Sequence, residues 1–124
     1  MLRKQQLELI LQTGVNLVGE KFSEMNCLDF IYKIYNIADV SLELKDCPIF
    51  SFHELFKEGT IGYPIFLHRK RTRSSKRITH IGIIFPNNFI LHYSRWMNGE
   101  PGFYQVFLSP CEELFKVYDF VEPI

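Results

Sequence analysis

At 124 residues the chain has room for one hydrophobic core and not for a second independent one. Hydrophobic residues make up 47% and charged residues 23%, which excludes a disordered chain, and no apolar run reaches the roughly 18 residues that span a bilayer. The 14 Lys and Arg balance 14 Asp and Glu, so nothing suggests a chain built throughout to hold nucleic acid, although a local basic patch stays open.

In chain order, residues 2 to about 13 read as an amphipathic helix, with Leu7, Leu9, Ile10 and Leu11 on its apolar face and Thr13-Gly14 as its stop. Charges at Arg3, Lys4 and Glu8 break up the N-terminus, so no signal peptide is read there. A cytoplasmic location, or export by a non-classical, phage-tail or effector route, is expected. A second helix runs from Cys27 to about Tyr35, on the spacing of Leu28, Ile31, Tyr32 and Tyr35. Asn26 is its N-cap and Asp29 an acid in its first turn. Ser51 with Glu54 has the pattern of a capping box, opening a short helix that Gly59 closes.

The period then changes. Residues 61–67, 78–85, 89–95 and 103–108 read as strands, with Pro86-Asn87-Asn88 as a tight hairpin turn. The second of these is apolar on both faces, Ile78 and Ile84 on one and Ile81, Ile83 and Phe85 on the other, which predicts a central strand covered on both sides. Ser109, Pro110 and Glu112 mark a further helix start. Helices first and antiparallel strands after predict one α+β domain over residues 1–124.

Three cysteines, Cys27, Cys47 and Cys111, leave at least one thiol free and match no zinc-ribbon spacing. Cys27 stands at a helix start, where unpaired N–H groups favour a thiolate and lower its pKa. The competing reading is a buried structural cysteine. His80 lies among apolar residues in mid-strand, where an imidazole is costly without a partner, and Gly82 leaves the same face open for another group to approach. His92 follows on the strand after the hairpin, which brings the two histidines near each other. Each alone reads equally well as a hydrogen-bonded core histidine; with Cys27 they make a nucleophile, a base and an orienting group.

Three segments, Met25-Asn26-Cys27-Leu28-Asp29-Phe30-Ile31, Thr79-His80-Ile81-Gly82-Ile83-Ile84-Phe85 and Phe89-Ile90-Leu91-His92-Tyr93-Ser94, together resemble the NlpC-type papain-like cysteine peptidases. That family carries a D-C-S-G-like motif at a helix start, then H-V-G-I-like and F-I-H-A-S-like strands. The resemblance spans roughly residues 14 to 96, and Gly62 to Leu67 also looks like the strand before the family's histidine, with Tyr63 and Pro64 in place of Asp-Leu. It implies a papain-like α+β fold with the catalytic helix on an antiparallel sheet of about five strands. It also implies a peptidase or amidase with Cys27 as nucleophile, His80 as general base and His92 as orienting residue, acting on peptide or amide bonds of bacterial cell-wall peptides. No cofactor is expected, and the expected partner is a peptide or cell-wall polymer bound by a monomer.

The chain also departs from that pattern. Asn26 replaces the Asp before the nucleophile, Leu28-Asp29 replace Ser-Gly, and Val15, Asn16 and Leu17 stand where the family commonly has a Tyr. Residues 68–77 hold Arg69, Lys70, Arg71, Arg73, Lys76 and Arg77; setting these six aside leaves 8 cations against 14 acids. Asn26, Leu28, Arg69, Lys70 and Arg71 are the candidate substrate-binding residues, the basic stretch gripping an anionic substrate or else forming a solvated hairpin tip. His68, His80 and His92 recur every twelve residues without an accompanying carboxylate or thiol motif, so no metal site is assigned. Two other functions remain open: an acyl hydrolase or transferase on lipid or small amide substrates, and a non-catalytic interaction module.

Overall fold

The computed structural model describes residues 2–41, 43–70, 78–94 and 104–123. Helices α1 (Lys4–Leu17) and α2 (Cys27–Ile37) come first. They are followed by β1 (Pro64–Arg69), β2 (His80–Phe85), β3 (Phe89–Ser94), β4 (Gln105–Pro110), the one-turn helix α3 (Cys111–Leu114) and β5 (Tyr118–Phe120). The strands form a single antiparallel sheet in the order β4-β3-β2-β1-β5. The α+β reading holds, with five strands. β2 is the middle strand and buried along its whole length, as its two apolar faces predict.

Alternation along the strands gives the sheet two different faces. Phe66, Ile81, Ile83, Phe85, Leu91, Tyr93 and Val106 pack against Ile10, Phe30, Ile31 and Ile34 of the two long helices. Ile65, Leu67, Ile84 and Ile90 pack on the other side with Leu114 and the rings of Phe56, Phe115 and Phe120. His80 and His92 share the parity of Ile84 and Ile90, so they lie on the face away from α2. The hairpin turn is as expected: Asn87 and Asn88 take positive φ, 62° and 64°, and Phe85 pairs with Phe89. Asn tolerates that backbone better than most residues.

Several boundaries differ from the sequence reading, each for a local reason. α1 runs through Gly14 to Leu17, because at Gly14 the helix approaches the sheet so closely that a Cβ would sit 2.6 Å from Phe85 Cζ and 2.7 Å from Leu91 Cδ2. β1 starts at Pro64, three residues late, since Gly62 turns the chain at φ +88°. β2 starts at His80, leaving Ile78 about half exposed and outside the covered face assigned to it. The Ser51 N–H does donate to Glu54 Oε1 at 2.8 Å, but it opens a single 3-10 turn, Phe52–Glu54, and Gly59 falls within a second one, Glu58–Thr60. β5 was not anticipated. The predicted strand ends at Arg95 and Phe103 lie outside the described residues.

Beyond β4 the chain after α1 comes alongside the sheet: the Gly19 N–H donates to the Val106 carbonyl at 2.8 Å, and the Val106 N–H donates to Glu20 at 3.0 Å. Among the described residues no helix is long and apolar enough to cross a membrane.

The Gly14 contact gives a direct test. Helix propensity alone would make Gly14→Ala stabilising by about 1 kcal/mol. The added methyl, however, must displace two buried side chains, and overpacking costs about 1–3 kcal/mol. Thermal denaturation of Gly14→Ala should show a lower Tm than wild type; an increase would mean that α1 can move away from the sheet.

Candidate active site

α2 begins where it does because Asn26 and Asp29 cap each other. Asn26 Oδ1 accepts the Asp29 N–H at 2.8 Å, and the Asp29 carboxylate accepts the Asn26 N–H at 3.3 Å. Cys27 is therefore fixed as the first helical residue. The loop leading to it is anchored by Tyr93, whose hydroxyl donates to the Phe22 carbonyl at 2.9 Å and accepts the Phe22 N–H at 3.1 Å. Burial raises the Cys27 thiol above its ordinary pKa; the N–H groups of Ile81, Leu28 and Cys27 itself oppose the rise, and Asp29 adds to it. The lowered thiol pKa expected from the helix start is thus not found. Partial burial outweighs these N–H groups, and a further one at the helix start, on Asp29, is already taken by Asn26.

The two histidines meet on the opposite face. His92 faces Gly82 across the β2–β3 pair, so His80, two residues earlier, lies on its diagonal. At Gly82 a Cβ would lie 2.6 Å from Ile90 Cγ2 and 3.0 Å from the Leu91 carbonyl oxygen, so the bare glycine is what lets β3 close over this spot. His80 Nε2 lies 3.0 Å from His92 Nδ1, and His92 Nε2 lies 3.0 Å from Ser109 Oγ on β4. If His80 Nε2 carries its proton, it donates to His92 Nδ1, His92 Nε2 donates to Ser109, and Nδ1 of His80 is left as an acceptor.

Both rings are kept from water. His80 is 5% exposed and His92 fully buried. Tyr118 stacks on His80 with ring centres 5.0 Å apart, and Phe107 lies 5.8 Å from His92. Burial pushes His80 down to about 4. Burial, with His80 beside it, holds His92 well below the usual imidazole range. At neutral pH both are uncharged.

Cys27, on the helix side, and His80, at the start of β2, line one cavity of about 360 Å³ together with Arg69, Ser94, Tyr104 and Tyr118. Asn26 lines it too, but its side-chain oxygen is committed to the cap. Leu28 does not line this cavity and turns to a neighbouring groove. Arg69 is at the cavity, whereas the Lys70 ammonium lies 3.9 Å from Asp119, as does His68 at 3.7 Å from the same carboxylate. Arg71, like Arg73, Lys76 and Arg77, lies outside the described residues.

Ser109, Tyr104 and Tyr118 were missed in the sequence. Ser109 reads as a helix start before Pro110, yet it is a buried strand residue whose hydroxyl faces His92. Tyr118 lies on a strand of three residues, too short for alternation to mark. Among the described residues no three His, Cys, Asp or Glu side chains are grouped to hold a metal ion. No family model matches the chain, and no curated protein matches it.

The buried neutral imidazoles make stability depend on pH. Unfolding returns each toward the ordinary value of 6.5, so below that pH the unfolded chain binds more protons than the folded one. Stability is then complete above about pH 6.5 and lost as pH falls toward about 4, by about 3 kcal/mol from His80 alone. Melting temperatures should drop across that window, and His80→Gln should flatten the slope. A Tm that is level from pH 7 to about 4.5 would contradict the burial of uncharged rings.

Proposed function

We propose that this chain is a cysteine hydrolase of the NlpC-type papain-like kind, cleaving a peptide or amide bond through an acyl-enzyme on Cys27. The observation that carries the reading is the buried chain from Ser109 through His92 to His80, which ends at the cavity lined by Cys27. A buried imidazole relay ending at a cavity that a thiol also lines is more than packing requires, because each ring adds a polar group that must be satisfied.

With thiol and imidazole both neutral at rest, His80 acts as general base rather than as half of a standing ion pair. Its Nδ1 takes the thiol proton as sulfur bonds to the carbonyl carbon. The imidazolium so formed is held by its Nε2–H bond to neutral His92, which orients it. The Cys27 N–H is an oxyanion donor for the tetrahedral intermediate. His80 returns the proton to the leaving nitrogen as the carbon–nitrogen bond breaks, and water, deprotonated by the same ring, releases the acyl group as a carboxylate. Cell-wall peptides are the first substrates to assay, on the resemblance of the three motifs. A second reading, acyl transfer or hydrolysis on lipid or small amides, draws on Leu28 and Ile78, both apolar, exposed and near the thiol.

Purified stem peptides and simple N-acyl amides, assayed for released amine, test the reading. Cys27→Ala should reduce turnover to background, and His80→Ala should lower kcat by about 10²–10⁴-fold. His92→Ala and Ser109→Ala should be progressively milder, as orienting groups that water can replace in part. A hydroxylamine-sensitive acyl adduct on Cys27 should be visible by mass spectrometry. Turnover that survives Cys27→Ala, or no turnover of either substrate class, would sink the proposal.

Alkylation tests the resting protonation state separately. With the thiol raised, iodoacetamide labelling of Cys27 should climb steadily from pH 6 to beyond pH 9, because the thiolate is the reactive form. Cys47, buried and pushed up to about 11, should lag behind it. A labelling plateau at acid pH would reveal a standing thiolate–imidazolium pair instead.

A further inference from the structure

Cys27 and His80 line a second space besides the polar cavity. It holds about 340 Å³ and is walled mainly by Leu28, Leu44, Phe66, Ile78 and Ile81, with Lys45 and Thr79 also on its lining. We propose that this groove is a binding subsite for an aliphatic group of the substrate, at least four carbons long and adjoining the bond that Cys27 attacks. The proposal rests on Cys27 being the nucleophile and specifies which substrates that nucleophile receives.

Two features support it. Leu28 and Ile78 are 41% and 49% exposed, and both flank the thiol, on α2 and on the approach to β2. Single exposed apolar side chains are ordinary, but a set that meets buried Phe66 and Ile81 in one wall forms a continuous apolar surface. The groove also shares its two reactive residues with a cavity of opposite character, which holds Arg69, Ser94 and three tyrosines. A substrate lying across Cys27 and His80 would therefore place an apolar part on one side of the scissile bond and a polar part on the other. Small, polar stem-peptide residues would fill the polar cavity and leave the apolar groove wet, and water against apolar walls is readily displaced by hydrocarbon. Leu28, one of the departures from the family pattern, thereby has a role: it supplies hydrocarbon where a serine would supply a hydroxyl.

N-alkylmaleimides of increasing chain length read the groove directly, since alkylation needs the thiol but no turnover. Labelling of Cys27 by mass spectrometry should quicken by at least about tenfold from N-ethyl to N-octyl, each fully buried methylene being worth about fourfold. Cys111 in the same digest supplies the reference for chain-length effects unconnected with the groove. Leu28→Ser with Ile78→Ser, or either change alone, should remove most of the gain, and since both side chains are half exposed the fold should survive. Acceleration complete at N-butyl supports a peptide side chain as the occupant, and acceleration continuing to N-octyl an acyl chain. Equal rates at all lengths, or a parallel rise at Cys111, would overturn the subsite. Failure of the hydrolase reading looks different: turnover persisting in Cys27→Ala removes the substrate assignment whatever the labelling shows, while Cys27-dependent turnover with flat labelling removes only the groove.

Discussion

The 3.0 Å contact between His80 and His92 is the constraint around which the sheet is arranged. A neutral imidazole has one donor and one acceptor, so two in series leave one of each at the ends of the pair. Ser109 on β4 serves the His92 end, and the cavity beside α2 lies at the His80 end. This requires β2 and β3 to be neighbours, β4 to lie next to β3, and β5 to bring Tyr118 over the exposed side of His80. Three of the five strands thus contribute a side chain to one buried polar line, and a fourth supplies the ring that covers its end. An apolar sheet of the same shape would need none of this ordering, and a half-satisfied line would be less stable than an apolar one.

The electrostatics of the site follow from the same burial. Desolvation moves the thiol up and the imidazole down, so it opposes charge on both partners. A proton passing from Cys27 to His80 would create two charges where there were none. The groups placed to accept that separation are the backbone N–H groups near the sulfur and the His92 acceptor behind the ring. Under the proposed chemistry the site is thus uncharged at rest and polarised only during reaction, which suits attack on an uncharged amide carbonyl.

Much of this was legible in the sequence because the signals were local. The Asn26–Asp29 cap, the asparagine hairpin turn and the apolar run of β2 each lie within a few residues and need no tertiary information. What was illegible depended on distant partners. Gly14 reads as a helix stop, and only the approach of Phe85 and Leu91 makes it a helical residue. Ser109-Pro110 reads as a helix start, and only His92 shows that the hydroxyl has a different use. The thiol failed for a similar reason: position on a helix gives the direction of the dipole but not the depth of burial, and depth outweighed it.

The pairing of Gly19 and Glu20 with Val106 has a consequence for how copies of the chain meet one another. A sheet edge invites another strand wherever outward N–H and C=O groups are unmet, and such addition is the first step of edge-to-edge association. Along β4 the outward positions alternate through Val106, Leu108 and Pro110. Val106 has both groups engaged by the loop after α1, and Pro110 has no N–H to offer. Only Leu108 presents a complete pair, so an incoming strand would find one rung of a ladder where it needs several. The short crossing of the chain after α1 therefore protects the β4 edge of the sheet, quite apart from anything it does for the route to Cys27.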